Sequence, residues 1–221
     1  MTIRVLLADD QTLLRQTFRL LIDSCADMEV VGEAADGAEA VELARAHRPD
    51  IVLMDIRMPG TDGLAATEAI CGDPGLRATR VLVLTTFQTD QHVARALRAG
   101  ASGFLGKDVS ADALLDGIRT VAASDALLSP TATRALIARF LAAPDPDAAP
   151  ALPADLASLT AREREVTALA AQGRSDREIA GELSVSPLTV RTHLQRAKTK
   201  LGARDRAQLV ALAYRTGLVR P

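Results

Sequence analysis

The chain has 221 residues, 48% of them hydrophobic and 2% aromatic, with a formal net charge of -2 at pH 7. That length holds one large domain or two ordinary ones, and the lack of any run of about 18 apolar residues argues against a membrane-spanning helix. The N-terminus enters an apolar strand pattern without a basic-then-apolar leader, so a cytoplasmic location is expected.

The small net charge hides an asymmetry. Residues 1–125 carry 12 Lys+Arg against 19 Asp+Glu, a balance of -7; residues 126–155 carry 2 against 3; residues 156–221 carry 12 against 6, a balance of +6. An acidic first part and a basic last part point to two domains with different partners, the basic one being the candidate for nucleic acid. Cys25 and Cys71 have neither CxxC spacing nor neighbouring histidine pairs, so they read as small half-buried residues rather than metal or redox groups.

In chain order, Ile3–Ala8 reads as a strand delivering the pair Asp9-Asp10. Leu13, Leu14, Phe18, Leu21 and Ile22 follow at helical spacing. Glu29–Gly32 reads as a short second strand, and Asp36-Gly-Ala-Glu39 has the spacing of a capping box for a helix through His47. The apolar run Ile51–Met54 predicts a strand buried on both faces, ending in Asp55 before the Pro59-Gly60 turn. A short helix is expected from about Asp62 to Cys71, a fourth strand over Arg80–Thr85, and a helix from about Asp90 to Ala99. A fifth strand ends at Lys107, and Ser110 caps a helix to about Ala123. Strands alternating with helices predict a parallel, doubly wound sheet, whose chemistry belongs at the carboxyl ends of the strands. Asp9, Asp10, Asp55, Thr85 and Lys107 all fall there. Any one of them alone is an ordinary turn former or solvated charge; the coincidence of all five on four strands makes that explanation poor.

A helix is expected from Thr131 to Leu141, and four prolines in residues 142–153 then predict an extended linker. Thr160-Ala-Arg-Glu163 and Ser175-Asp-Arg-Glu178 are capping boxes, Ser186-Pro187 is an N-cap followed by proline at the first helical position, and Asp205 caps a last helix. Helices joined by the tight Ser184-Val185-Ser186 connection predict a helix-turn-helix within an all-α unit. In its second helix, Pro187–Leu201, about 22 Å long, Val190, Leu194, Ala197 and Leu201 form an inward stripe. Arg191, Thr192, Gln195, Lys198 and Thr199 form another face. Arginine forks onto guanine, glutamine onto adenine, and a threonine methyl meets thymine. A charged outer face on an isolated helix would more simply be solvated; the turn and the +6 balance favour a DNA-reading face.

Carboxylates converging on one point repel unless a cation sits between them, and a hard, oxygen-liganded ion such as Mg²⁺ suits such a site. There Asp55 could attack a phosphoryl donor while the Lys107 ammonium offsets charge and the Thr85 hydroxyl bonds a phosphoryl oxygen.

Asp9-Asp10, Leu53–Gly60, Leu84-Thr-Thr-Phe87 and Gly100–Asp108 closely resemble the receiver domain of bacterial response regulators. The resemblance spans about residues 1–125 and implies a flavodoxin-like five-stranded sheet of order 2-1-3-4-5, with Asp55 phosphorylated by a sensor histidine kinase. It also implies Mg²⁺ bound by Asp10, Asp55 and the Arg57 backbone carbonyl with Asp9 acting through water, phosphoryl contacts from Thr85 and Lys107, and Phe104 as the switch aromatic. Asp108 stands where many relatives have a proline after a cis peptide, which costs about 3 kcal/mol before a non-proline residue and leaves the geometry of that bond open. Arg57 and Phe87 flank the line of water attack, which predicts slow self-dephosphorylation.

Leu159–Val166, Ile179–Leu183, Thr189–Leu194 and Lys200-Leu-Gly202 resemble the LuxR-type (NarL/FixJ) output domain across residues 156–221, with residues 126–155 as linker. That resemblance implies Arg191, Thr192 and Gln195 as base readers, and Ser175, Thr189, His193, Lys198 and Lys200 as phosphate contacts. Gln195 often stands as lysine and Asp176 as asparagine in such proteins. The last helix resembles a dimerisation helix, in which Leu209, Leu212 and Ala213 serve either that contact or the domain core.

The expected function is that of a phosphorylation-dependent transcriptional regulator, not an enzyme. It would act by dimerisation on two-fold promoter DNA or by release of autoinhibition, with RNA polymerase as a further candidate partner. A phosphohydrolase using Asp55 as nucleophile would need a substrate pocket and a cap, for which no segment is left. A phosphorylation-independent interaction module would not need the complete acidic, hydroxyl and lysine set.

Overall fold

The computed structural model describes residues 2–85, 95–123 and 158–219, apart from the side chains of Thr85 and Arg215. The chain divides into two compact units, residues 1–127 and 128–221.

The first unit is a parallel sheet wrapped by helices. Its elements are β1 (Ile3–Ala8), α1 (Thr12–Asp23), β2 (Met28–Ala34), α2 (Gly37–His47), β3 (Ile51–Asp55), α3 (Gly63–Gly72), β4 (Arg80–Thr85), β5 (Gly103–Gly106) and α4 (Ala111–Ala122). The strand order is β2-β1-β3-β4-β5, as the resemblance implied. All five residues of β3 are buried, which is why that strand reads as continuously apolar up to its final aspartate. Val5, Leu7, Ile51, Leu53, Leu82 and Leu84 alternate onto one face of the sheet and pack with Ile22 of α1 and Leu114, Leu115, Ile118 and Val121 of α4.

Several local expectations are refined. The second strand runs from Met28 to Ala34, longer at both ends than Glu29–Gly32, because β1 pairs with it along its length through a register shift at Val5/Leu6. At the start of α2, Asp36 accepts from the N–H groups of Ala38 and Glu39, but Glu39 accepts from Ala35 N–H rather than from its cap residue. Of the apolar positions of α1, only Ile22 is fully buried; Leu13 is 78% exposed. The peptide bonds of the described residues are trans, Lys107–Asp108 included. Cys25 and Cys71 are half-buried thiols outside any disulfide, as expected. Of the helix expected near 90–99, residues 95–99 are described; 95–98 are helical and 99 is already in the following turn. Phe87, the Thr131–Leu141 helix and the proline-rich linker lie outside the described residues.

The second unit contains α5 (Ala161–Ala171), α6 (Asp176–Glu182), α7 (Pro187–Leu201) and α8 (Arg206–Arg215). Both capping boxes form: the Thr160 and Ser175 hydroxyls accept from the N–H groups of Glu163 and Glu178, whose carboxylates in turn accept from the N–H groups of the cap residues. Ser186 caps α7 with Pro187 at the first helical position, and Gly202 ends it at φ 66°, a left-handed geometry that glycine adopts without a Cβ clash. The stripe on α7 packs as expected, with Val190, Leu194 and Ala197 buried against Leu159, Val166, Ile179 and Leu209. Ala171, Val210, Ala213, Tyr214 and Val219 form a second cluster. Among the described residues no helix is long and apolar enough to cross a membrane.

Candidate functional sites

In the first unit, β1 and β3 are hydrogen-bonded neighbours, with Ala8 level with Met54. The next residues in each strand direction, Asp9 and Asp55, therefore emerge side by side at the carboxyl edge. β4 continues that edge, Asp55 lying level with Leu84 and Thr85 with Gly106, the residue before Lys107. The topology thus brings Asp9, Asp10, Asp55 and Lys107 together, with the Thr85 backbone at the same edge. Phe104 is buried on β5, level with Val83.

Carboxylate oxygens of Asp9, Asp10 and Asp55 lie within 4.8 Å of one another. The Lys107 ammonium reaches between two of them, donating to Asp9 Oδ2 at 2.6 Å and Asp55 Oδ2 at 2.8 Å. Asp9 and Asp55 are buried, while Asp10 is exposed. Burial drives the Asp55 carboxyl above its usual range, against the opposing pull of the Lys107 hydrogen bond. Burial also works to lower the Lys107 pKa, but its bonds to Asp55 and Asp9 outweigh this and the net direction is upward. Three carboxylates against one ammonium leave an excess of negative charge at a strand edge where Asp9, Asp55 and the Lys107 side chain are largely shielded from water. All the side-chain donors in the trio are hard, anionic oxygens, the set that suits Mg²⁺ rather than a thiophilic metal. The residues present therefore fit a hard divalent ion. Arg57 is exposed beyond the strand end, and its backbone N–H bonds the Asp55 carboxyl.

In the second unit, Arg191, Thr192, Gln195 and Thr199 are exposed on the face of α7 opposite its buried stripe. The Thr192 and Thr199 hydroxyls donate to the carbonyls of Leu188 and Gln195 at 2.9 and 3.0 Å, which leaves their methyls and the acceptor side of each hydroxyl open to a partner. Arg191 Nε lies 3.4 Å from Asp176 Oδ2. Asp176, at the first position of α6, also receives the Arg206 guanidinium on its other oxygen. This three-residue bridge was not legible in the sequence, since its members lie on three helices and no spacing rule connects them.

The expected phosphate contacts divide. Lys198 is half-buried, and Lys200 donates to the buried Glu163 at 2.7 Å, tying α7 to the start of α5. The Ser175 hydroxyl is engaged in its capping box and Thr189 Oγ1 lies 2.9 Å from Ser186 Oγ. His193 is half-buried with its Nδ1 enclosed and unpartnered. Of the residues considered for dimerisation, Leu209 and Ala213 are fully buried within their own unit's apolar clusters. Leu212 is half-buried.

Residues 5–119 match the response regulator receiver domain, and residues 157–213 match the bacterial regulatory proteins of the luxR family. The chain is 40% identical over 217 residues to the uncharacterized transcriptional regulatory protein YxjL of Bacillus subtilis (strain 168), covering 98% of this chain and 97% of that protein. It is 37% identical to the transcriptional regulatory protein LiaR of the same organism, covering 98% and 99%. The crystal structure of the response regulator ChrA of a heme-sensing two-component system is 35% identical and superposes with a TM-score of 0.52, covering 99% of each chain. The strand-edge acidic cluster with its lysine, the helix-turn-helix and these full-length likenesses lead to one conclusion: the chain belongs to the two-component response regulators, with a receiver domain joined to a LuxR-type DNA-binding domain, and acts in transcriptional regulation.

Proposed function

We propose that Asp55 is the phosphoacceptor of a sensor histidine kinase and that its phosphorylation raises affinity for two-fold promoter DNA. The observation that carries this reading is the Lys107 ammonium held at 2.8 Å from Asp55 and 2.6 Å from Asp9, with Asp10 completing the acidic trio. An Asp55 carboxylate oxygen attacks phosphorus as the bond from phosphorus to the kinase's imidazole nitrogen breaks, and the imidazole leaves with the electron pair. Lys107 offsets the charge that accumulates on the phosphoryl oxygens. Asp9, Asp10, Asp55 and the Arg57 backbone carbonyl would hold Mg²⁺, which supplies charge neutralisation between the carboxylates and the phosphoryl group. Thr85 bonds a phosphoryl oxygen, and Phe104 on the adjacent strand adjusts its packing in response.

The phosphoacceptor domain is residues 1–125, the linker 126–155 and the output domain 156–221. Phosphorylation acts by dimerisation or by release of autoinhibition, and the dimer presents two copies of α7 to successive major grooves. Arg191, Thr192 and Gln195 read bases; Ser175, Thr189, His193, Lys198 and Lys200 lie along the phosphates. The protein works in the cytoplasm, contacts RNA polymerase from the promoter, and is not an enzyme on diffusible substrates. The test is to treat the full chain with acetyl phosphate and Mg²⁺ and measure phosphoryl incorporation, sedimentation and DNA affinity. Incorporation, association and tighter binding in wild type, all lost in Asp55→Asn, are expected; equal behaviour of the two proteins refutes the proposal.

A further inference from the structure

Three large apolar side chains stand largely in solvent among the described residues: Leu13 at 78%, Leu20 at 76% and Leu188 at 73%. Leu188 differs from the other two in its place. It is the second residue of α7, directly after Pro187. Arg191, Thr192 and Gln195 follow it at three, four and seven residues, and all three are exposed. Those intervals put the four side chains on one helix face, turned away from the buried Val190, Leu194 and Ala197.

The chemistry of that face is uneven. At its amino-terminal end the Thr192 hydroxyl gives its proton to the Leu188 carbonyl at 2.9 Å and keeps only acceptor capacity. Four residues apart on that face, the exposed Leu188 side chain and the Thr192 methyl form an apolar spot beside the guanidinium of Arg191 and the amide of Gln195. The amino-terminal residues of a recognition helix are the ones that meet base edges. The major groove offers one apolar group to such a spot, the C5-methyl of thymine. We infer that Leu188 is a specificity residue that packs on a thymine methyl in each half-site, next to the bases met by Arg191 and Gln195. The inference rests on the proposed base-reading role of α7 and adds a residue and a base to it.

Deoxyuridine removes that methyl and nothing else, so the contact can be isolated. Duplexes selected from a random pool by the full chain, with acetyl phosphate and Mg²⁺ present, are remade with each thymine in turn replaced by deoxyuridine. Affinities are then compared for wild type, Leu188→Ala and Leu188→Met. In wild type, one thymine per half-site should lose about fourfold on demethylation, or about 0.8 kcal/mol, the worth of one buried methyl-sized group. Leu188→Ala should bind the thymine and uracil duplexes equally, and Leu188→Met should restore the difference. Equal demethylation losses in wild type and Leu188→Ala overturn the inference, as does a selected site without a required thymine; either result assigns the leucine to a protein contact instead. A chain that selects no sequence, or whose selectivity survives Arg191→Ala and Gln195→Ala unchanged, refutes the base-reading role of α7 and takes the Leu188 inference with it.

Discussion

Gly63 is the position where one added methyl group should act on the phosphoacceptor itself. It opens α3, and its N–H donates to the Ile56 carbonyl at 2.9 Å, which lays the helix start across the end of β3. A Cβ at residue 63 would stand 1.8 Å from the Asp55 carbonyl oxygen and 2.8 Å from its carbonyl carbon, against the 3.4 Å at which ordinary contact begins. The deficit of about 1.6 Å falls on backbone, so no side-chain rotation relieves it and either α3 or the end of β3 must move. Gly63→Ala should therefore cost the receiver at least about 3 kcal/mol, at or beyond the upper end of the usual overpacking range, and lower its Tm by about 10 °C for a unit of this size. The same displacement moves Asp55 relative to Lys107, so phosphoryl transfer should slow by more than tenfold. Denaturant unfolding of the full chain, combined with phosphoryl incorporation below the new transition, separates the two effects. A Gly63→Ala protein with unchanged stability and an unchanged rate of phosphorylation would refute the close-approach reasoning.

Three further outcomes follow from other contacts. Asp176→Asn should tighten non-specific DNA binding several-fold at low salt, because it removes a negative charge 3.4 Å from Arg191. It should also cost the output unit about 1 kcal/mol through the lost Arg206 bridge; a salt titration of DNA affinity and a melting curve check the pair. Glu163 is held below its ordinary value of 4.5, first by the Lys200 hydrogen bond and then by the Thr160 N–H. A depressed carboxyl pKa adds stability that is complete above 4.5 and is lost as the pH falls through the lower folded value. Glu163→Gln should therefore lose about 1 kcal/mol at neutral pH and show a flatter acid limb, measured by denaturant unfolding between pH 3 and 7, values chosen to bracket the ordinary carboxylate range. Arg57→Ala should shorten the lifetime of the aspartyl phosphate several-fold if the exposed arginine obstructs water; an unchanged decay on phosphate-affinity gels would rule that out.

Much of this protein is legible in the order of its residues. Apolar runs ending in Asp9, Asp55 and Thr85, and a strand closing on Lys107, are local patterns, and right-handed βαβ winding leaves few ways to arrange them. The observed order β2-β1-β3-β4-β5 therefore places those groups at one edge. The caps of α5, α6 and α7 were equally legible, since each is a bond between residues three apart whose donors and acceptors are fixed by helix geometry. Only packing decided the rest. Leu209 and Ala213 carry the same apolar signal whether they face a partner or their own core, and the neighbouring helices bury both. Leu13 and Leu188 look like core residues by hydrophobicity, yet the turn of each helix sends them into solvent. Lys107 was expected at the edge, but its seat between Asp9 and Asp55 depends on side-chain reach across three strands. The Asp176 bridge to Arg191 and Arg206, and the approach of Gly63 to the Asp55 carbonyl, join residues that no periodicity relates. Periodicity and capping act over a few residues and are written along the chain. Contacts between elements depend on how separate surfaces meet, and these exist only once the chain has folded.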